Sequence, residues 1–291
     1  MPDAPSLSTA IDDVEALFRA ALRRVQADAL LDATDTTDTT PAPLSSYERV
    51  QLLGMGKAAM AMAGVVEARC PEVVTGGTVV VPEGYPETYP ERLPRPQETT
   101  VRTGGHPVPS ADSVRAGRRL LEAAEALGPN ECGLVLVSGG GTALATLPAG
   151  NLDLADLKAT YHQLLRAGVP IREANAVRKH LTQVGGGQLA QAAAPGNLGA
   201  LVVSDVVGND LATIASGPTV PDPSTYQDAM QVLYRHDLWH EVPTAIREHV
   251  AAGARGQHPE TPGAESEYFD GVRTQLVGTN ATALDAVRAA A

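Results

Sequence analysis

Short apolar runs alternate with helix-like segments along most of this chain, and this alternation restricts its fold more than any other feature. The strand-like runs are RVQLLGMG (49–56), GGTVVVPEG (76–84), CGLVLVSGGG (132–141), LGALVVSDVVGND (198–210) and VRTQLVG (272–278). Continuous apolar strands separated by helices are typical of a parallel sheet that helices cover on both faces. The sequence therefore predicts an α/β fold, with a three-layer, Rossmann-like domain built on a mainly parallel sheet.

The same alternation predicts where the chain divides. Residues 1–245 carry most of the strand–helix pattern and are predicted to form one domain. Residues 246–291 read as a linker followed by the start of a second α/β domain. Near the N-terminus, Ile11, Val14 and Phe18 recur at helical spacing, which predicts an amphipathic helix packed on the core.

Composition narrows the class of partner. The formal net charge of -12 at pH 7 disfavours binding to nucleic acid or to an anionic membrane surface. No apolar run approaches the roughly 20 residues of a membrane span, and no signal-peptide pattern opens the chain. Cys70 and Cys132 belong to no CxxC pair, so zinc binding is not expected. We therefore expect a cytoplasmic protein that acts on a small molecule.

The first strand-like run ends in GMGK, a sequence that several phosphate-binding sites share in part. A Walker A loop is excluded, because Gln51 occupies the position of its first glycine and Ala58 that of its hydroxyl residue. Gly54 and Gly56 begin a G-x-G-x-x-A pattern that is typical of dinucleotide-binding turns. A plain strand-to-helix turn, or a different phosphate site that uses Lys57, fits the same residues, and all three interpretations stay open here.

A second glycine-rich turn follows the run at 132–137. Ser138, Gly139, Gly140 and Gly141 end that strand, and Thr142 opens the next helical segment. Backbone N–H groups that glycine leaves accessible at such a turn bind anions, which favours a phosphate or carboxylate site. The alternative is a plain connection between a strand and a helix.

Acidic residues follow the run at 198–203. Asp205 ends this strand, and Asp210 follows five residues later. A carboxylate in this position can hold Mg²⁺ or accept a proton from a substrate hydroxyl. The alternative is a carboxylate that caps a helix or closes a turn.

Basic residues that could bind an anion occur in two places. Arg178 and Lys179 are adjacent, so on a helix they point about 100° apart and need not reach the same site. They could also belong to a solvated face. His106 lies between Gly105 and Pro107 in a loop, where it either binds an anion or makes a structural hydrogen bond.

Taken together and in order, these motifs resemble one family. The matching segments are GMGKAAMAMA, GGHPVPSADS, SGGGTAL, NAVRKHLTQVGGGQLA and SDVVGNDLATIASGPT. They are similar to the signatures of the glycerate 2-kinases of the GckA/TtuD type. Members of that family have a Rossmann-like domain and a further C-terminal domain, the MOFRL region, which the resemblance does not include.

The resemblance implies ATP- and Mg²⁺-dependent phosphorylation of D-glycerate, mainly at the 2-hydroxyl. Lys57 would correspond to the family's functional lysine and Asp205 to its catalytic aspartate, with Asp205 and Asp210 at the metal. Arg178 would bind the glycerate carboxylate. The residues expected to bind substrate or phosphate are Gly54, Gly56, His106, Ser138, Gly139, Gly140, Gly141, Thr142, Arg178 and Lys179.

Several positions depart from the family's motifs. Ser110 replaces an aspartate, Thr142 a serine, Gly185 a lysine, and Gln188 a residue that is often basic. The missing charge at Gly185 is expected to weaken the binding of ATP or substrate. Two other functions are kept as alternatives: an NAD(P)-dependent hydroxypyruvate reductase, and a degenerate or truncated relative without catalytic activity. A homodimer is also expected.

Overall fold

The computed structural model describes residues 7–34 and 39–291. Its strands are β1 (Arg49–Met55), β2 (Val74–Pro82), β3 (Thr99–Gly104), β4 (Glu131–Val137), β5 (Asn197–Val203) and β6 (Val272–Gly278). They form one sheet in the order β3-β2-β1-β4-β5-β6, and all of the pairings between them are parallel. The order reverses between β1 and β4, which opens a crevice at the carboxyl ends of the strands. The predicted α/β fold is confirmed.

Helices surround this sheet. They are α1 (Leu7–Arg24), α2 (Ala27–Asp32), α3 (Ala59–Arg69), α4 (Ala111–Glu125), α5 (Gly141–Leu144), α6 (Leu154–Arg166), α7 (Ile171–Lys179), α8 (Gln188–Ala193), α9 (Tyr226–Arg235), α10 (Thr244–Ala254) and α11 (Asn280–Ala290). Ser110 caps α4, since its Oγ accepts the backbone N–H of Ser113 at 3.3 Å. Within the two described ranges, no helix combines the length and apolar character that a bilayer span requires.

The two faces of the sheet carry separate apolar layers, because successive side chains of a strand point in opposite directions. Leu53 of β1 packs into the layer that α4 and α8 cover. Its neighbour Leu52 packs into the opposite layer, which α3 covers with Met60 and Met62. These layers hold the strand ends, and therefore the loops that follow them, in place.

A third apolar cluster contains no strand. Leu157 of α6, Val177 of α7, Leu233 of α9 and Ile246 of α10 are buried together in it. These helices come from the connections that follow β4 and β5. They place α7 beside the loops at the carboxyl edge of the sheet.

The structure differs from the predicted division of the chain at residue 245. β6 lies inside residues 246–291, yet it pairs with β5 and extends the same sheet. Ile246 and Val250 of α10 are buried in the third cluster, which also contains residues on the other side of the predicted boundary. Pairing with β6 satisfies the backbone groups of β5 that would otherwise form an exposed edge. Residues 246–291 are therefore part of the fold that begins before them.

The structure also differs from the prediction for the first helix. Helix α1 forms as the periodicity indicates, but it contains no buried residue. Ile11, Val14 and Phe18 are 58%, 65% and 61% exposed. An apolar stripe predicts a helix with one hydrophobic face, but it does not specify what covers that face.

Candidate functional site

A cleft of about 510 Å³ lies where the loops after β3, β4 and β5 approach α7. This is the edge at which parallel sheets of this kind bind ligands. The cleft is lined by His106, Pro107, Gly139, Gly140, Thr142, Ala143, Ile171, Asn175, Arg178, Asp205, Val206, Val207, Thr213 and Ala215. Six of the residues predicted from the sequence are therefore brought together: His106, Gly139, Gly140, Thr142, Arg178 and Asp205.

The glycines after β4 allow the other side chains to approach this loop closely. A Cβ on Gly139 would lie 2.1 Å from Oδ2 of Asp205, and a Cβ on Gly140 would lie 2.9 Å from Cδ2 of His106. Gly140 also has a φ of +91°, which side chains rarely adopt. The helix that follows, α5, has only four residues. The structure therefore shows close packing of Asp205 and His106 on the loop, rather than the N-terminus of a long helix.

The β1–α3 turn is locked to the same loop. The backbone N–H of Lys57 donates to the carbonyl of Gly139 at 3.1 Å, and Oγ of Ser138 accepts the N–H of Ala58 at 2.9 Å. A Cβ on Gly56 would lie 2.2 Å from that Oγ. Ser138 and Gly56 thus join two loops, and they hold the backbone of Lys57 at the edge of the glycine-rich turn.

Gly54 has a different role from the one predicted. It lies inside β1, where a Cβ would be 2.8 Å from Cγ1 of Val79 and 3.1 Å from the carbonyl of Leu136. Its missing side chain allows the strands to pack rather than a phosphate to approach. Gly54 is therefore explained by packing within the sheet, and Gly56 by its contact with Ser138. These explanations remove the main support for a dinucleotide-binding turn.

Lys57, His106 and Asp205 share one electrostatic environment. The side chains of Lys57 and Asp205 are exposed, and no ion pair involves either of them in the described part of the chain. Burial lowers the pKa of His106 below its ordinary value, and the positive charge of Lys57 lowers it further, whereas Asp205 opposes the shift. His106 is therefore held towards its neutral form, beside one free cation and one free carboxylate.

Asp210 is not among the residues that line the cleft. Its Oδ2 accepts the hydroxyl of Thr213 at 2.6 Å and lies 3.4 Å from Nε of Arg172. Its Oδ1 accepts the N–H of Ala212 at 3.3 Å. Asp210 thus closes the turn after β5, the structural alternative for this residue, which leaves Asp205 as the carboxylate that faces the cleft.

The side chains that could bind a metal ion limit the kind of Mg²⁺ site that this chain can form. Among the described residues, no cluster of three or more His, Cys, Asp or Glu side chains is arranged to hold an ion. Mg²⁺ at phosphotransfer sites commonly takes only one or two carboxylates, with substrate phosphates and water completing its shell. The exposed and unpaired carboxylate of Asp205 fits that mode of Mg²⁺ binding. The described residues do not fit a site that is built from protein ligands alone.

The two adjacent basic residues of α7, Arg178 and Lys179, lie in different environments. Arg178 lines the cleft, its guanidinium carbon lies 5.0 Å from the ring centre of Tyr161, and burial lowers its pKa. No carboxylate pairs with Arg178 in the part of the chain that the structure describes. Lys179 is 4% exposed, and its Nζ lies 3.0 Å from Oδ1 of Asp222. The expectation that Lys179 binds substrate is not supported, because its ammonium points away into a buried ion pair.

A strained turn packs against the glycine-rich loop, where a Cβ on Gly141 would lie 2.7 Å from Cβ of Ala215. Ala215, Ser216 and Gly217 have φ values of +49°, +62° and +57° in succession. Each non-glycine residue in this conformation costs about 1–3 kcal/mol and persists where surrounding contacts impose it. Here Gly186 and Gly187 donate to the carbonyls of Ser216 and Gly217 at 2.7 and 2.8 Å.

The departures from the family's motifs have structural explanations around that turn. Thr142 keeps a hydroxyl, and its Oγ1 lies 2.9 Å from Oγ of Ser216. A Cβ on Gly185 would lie 3.0 Å from Cβ of Ser216. Nε2 of Gln188 donates to the carbonyls of Thr182 and Gly185, each at 2.8 Å. A neutral amide therefore supports this loop where the family often has a charge.

Asn175 is a cleft residue that the sequence reading did not single out. It is 2% exposed, and its Nδ2 donates to the carbonyl of Thr213 at 2.9 Å, whereas its Oδ1 is buried without a hydrogen-bond partner. A signal was available, since Asn175 precedes Arg178 by three residues and such pairs share a helix face.

Several known proteins are similar to this chain in sequence or in structure. A glycerate 2-kinase of Pyrococcus horikoshii is 36% identical over 239 residues, which are 82% of this chain and 51% of that protein. An Agrobacterium vitis protein with the name "Putative hydroxypyruvate reductase" is 38% identical over 243 residues, 84% of this chain and 52% of that protein. The crystal structure of a glycerate kinase from Thermotoga maritima superposes with a TM-score of 0.79 at 30% identity, and the match covers 97% of this chain and 62% of that one.

The chain thus spans about half the length of the curated relatives it matches. The family resemblance drawn from the motifs is confirmed by these glycerate kinases. The profile of a family described as "Domain of unknown function (DUF4147)" matches residues 13–251. Because that match covers most of the residues of this chain, the chain belongs to the DUF4147 family.

Proposed function

We propose that this chain carries the site at which D-glycerate is phosphorylated by ATP in the presence of Mg²⁺, with 2-phosphoglycerate as the product. The names of the kinase relatives support the reaction class. The observation that carries the proposal is the cleft itself, in which an unpaired guanidinium, Arg178, and an unpaired carboxylate, Asp205, lie with the glycine-rich loop. A small anionic substrate with a hydroxyl group needs both.

Each residue has a role that phosphoryl transfer requires. Arg178 binds the carboxylate of glycerate through charge-assisted hydrogen bonds. Asp205 orients the 2-hydroxyl and takes its proton as the oxygen–phosphorus bond forms and the bond to the leaving ADP breaks. Lys57 offsets negative charge on the transferring group, and the backbone of Gly139 and Gly140 contacts the phosphates. Asp205 would also be the residue to hold Mg²⁺, which would supply further charge neutralisation.

The hydroxypyruvate reductase alternative is less well supported. Two relatives from Agrobacterium vitis carry that name, and the strand order is compatible with a dinucleotide. However, Gly54 and Gly56 are occupied by packing within the protein, as described above. Hydride transfer also has no step that requires a lysine at position 57.

We also propose a cytoplasmic location, which the two free thiols of Cys70 and Cys132 support. A homodimer stays a prediction.

The test is ADP formation by the purified chain with ATP, Mg²⁺ and D-glycerate. Reactions without glycerate measure background hydrolysis, and parallel reactions contain hydroxypyruvate with NADH or NADPH. Phosphorus NMR of the product separates 2-phosphoglycerate from 3-phosphoglycerate. Glycerate-dependent ADP is expected. Oxidation of the nicotinamide would establish the reductase instead, and neither activity would favour a non-catalytic relative.

A further inference from the structure

We propose that Asn175 and Arg178 together form a subsite for a dihydroxy acid, in which Arg178 binds the carboxylate and Oδ1 of Asn175 accepts the hydroxyl that is not phosphorylated. This inference rests on the proposed function and adds a specificity residue to it. Asn175 would distinguish glycerate from acids that lack the second hydroxyl.

The orientation of the Asn175 amide is set by its neighbour. The carbonyl of Thr213 can only accept a hydrogen bond, so the amide atom that contacts it at 2.9 Å must be the NH₂ group. The remaining atom is the carbonyl oxygen, Oδ1, on a side chain that lines the cleft. A ligand that satisfies this oxygen must bring a donor.

Two unsatisfied groups of opposite polarity therefore lie one helical turn apart. Oδ1 of Asn175 and Nε of Arg178 are both buried without a hydrogen-bond partner among the described residues. Buried polar atoms are nearly always paired, and those left unpaired in the free protein call for an explanation such as a ligand. Side chains three residues apart on a helix are neighbours, and both of these residues line the same cleft.

The chemistry of the two groups specifies the ligand class. Arg178 requires an anion, and Asn175 requires a hydroxyl close to that anion. An amide oxygen is too weak a base to remove a proton, so Asn175 can hold a hydroxyl but cannot activate it. Asp205 is left to act on the other hydroxyl, and Asn175 is assigned the 3-hydroxyl when the 2-hydroxyl is phosphorylated.

The experiment compares equilibrium binding of D-glycerate and D-lactate, which lacks the 3-hydroxyl, by calorimetry on the 291-residue chain. The variants are Asn175→Leu and Asn175→Asp. Both lose the NH₂ group that contacts Thr213, but only Asn175→Asp keeps an acceptor oxygen. We expect wild type to prefer glycerate by about 10-fold, the leucine variant to lose this preference, and the aspartate variant to retain it. If the leucine variant is unfolded by circular dichroism, Asn175→Ala replaces it.

Other outcomes overturn the inference. An equal preference in wild type and Asn175→Leu would show that Asn175 does not contact the hydroxyl. Loss of the preference in both variants would show that Asn175 acts only through Thr213. Equal binding of the two acids by wild type, or no binding of either, would also reject it. Glycerate-dependent ADP formation, measured separately, shows whether the proposed function survives each of these results.

Discussion

The carboxylate of Asp205 occupies the space where a side chain on Gly139 would begin, with Oδ2 only 2.1 Å from the position of that Cβ. The glycine after β4 and the aspartate after β5 are thus matched across the edge of the sheet. Gly139 has no positive φ, so an alanine there is not excluded by its backbone conformation. Its effect should fall on the position of Asp205 instead.

Gly139→Ala should therefore lower glycerate-dependent turnover by about 100-fold, because a displacement of about 1 Å at a catalytic group can have that effect. The exposed carboxylate can rotate away, so the melting temperature should change little. Gly263→Ala is the matched control, since nothing lies within 4 Å of its Cβ. Normal turnover by Gly139→Ala would mean that the observed position of Asp205 is not needed for the reaction.

Replacement of Lys57 by alanine should reduce kcat roughly 100- to 1,000-fold, the usual effect of removing one group that stabilises developing charge. The fold should be retained, since the side chain is exposed. Lys158→Ala removes another exposed lysine, on α6, and should leave kcat unchanged. Initial rates of ADP formation measure the effect of each substitution. Equal rates in Lys57→Ala and Lys158→Ala would show that Lys57 is not part of the site.

The pKa of His106 should report on both of its charged neighbours with opposite signs. Lys57→Ala should raise this pKa, since a nearby cation disfavours the imidazolium, and Asp205→Asn should lower it further. NMR titration of the imidazole signals in metal-free buffer measures both shifts. Shifts of the same sign, or none, would contradict the arrangement of the three side chains.

The same shift has a consequence for stability. The folded-state pKa of His106 is below its ordinary value of 6.5, so the unfolded chain binds more protons as the pH falls below that value. The contribution of His106 is fully present above about pH 6.5 and decreases as the pH falls towards the folded pKa. Unfolding in urea at several pH values should show a smaller loss of stability for His106→Gln than for wild type.

Lys179→Met should destabilise the protein by about 3–5 kcal/mol, because it leaves the carboxylate of Asp222 buried without its cation. Arg172→Met is the control on the same helix. Its ion pair with Asp210 involves a side chain that is 73% exposed, so it should cost less than about 1 kcal/mol. Urea unfolding measures both values. A small effect of Lys179→Met, together with a raised KM for glycerate, would return Lys179 to the substrate site.

Much of the site follows from local pattern. Glycines and a carboxylate at the ends of apolar runs predicted Gly139, Gly140 and Asp205 as site residues, and these residues meet because parallel strands end at one edge of a sheet. The prediction for Gly54 failed for a local reason. Its strand continues through Met55, so the turn begins two residues later than the glycine spacing indicated.

The sequence by itself determined the class of fold, since alternating strands and helices can bury their apolar faces in few other ways. It also determined which residue types reach the sheet edge. Only the tertiary structure decided that Arg178 faces the cleft while Lys179 is buried against Asp222, and that Asn175 keeps a free acceptor. Adjacent helical residues point about 100° apart, and what each one meets depends on packing between segments distant in the chain.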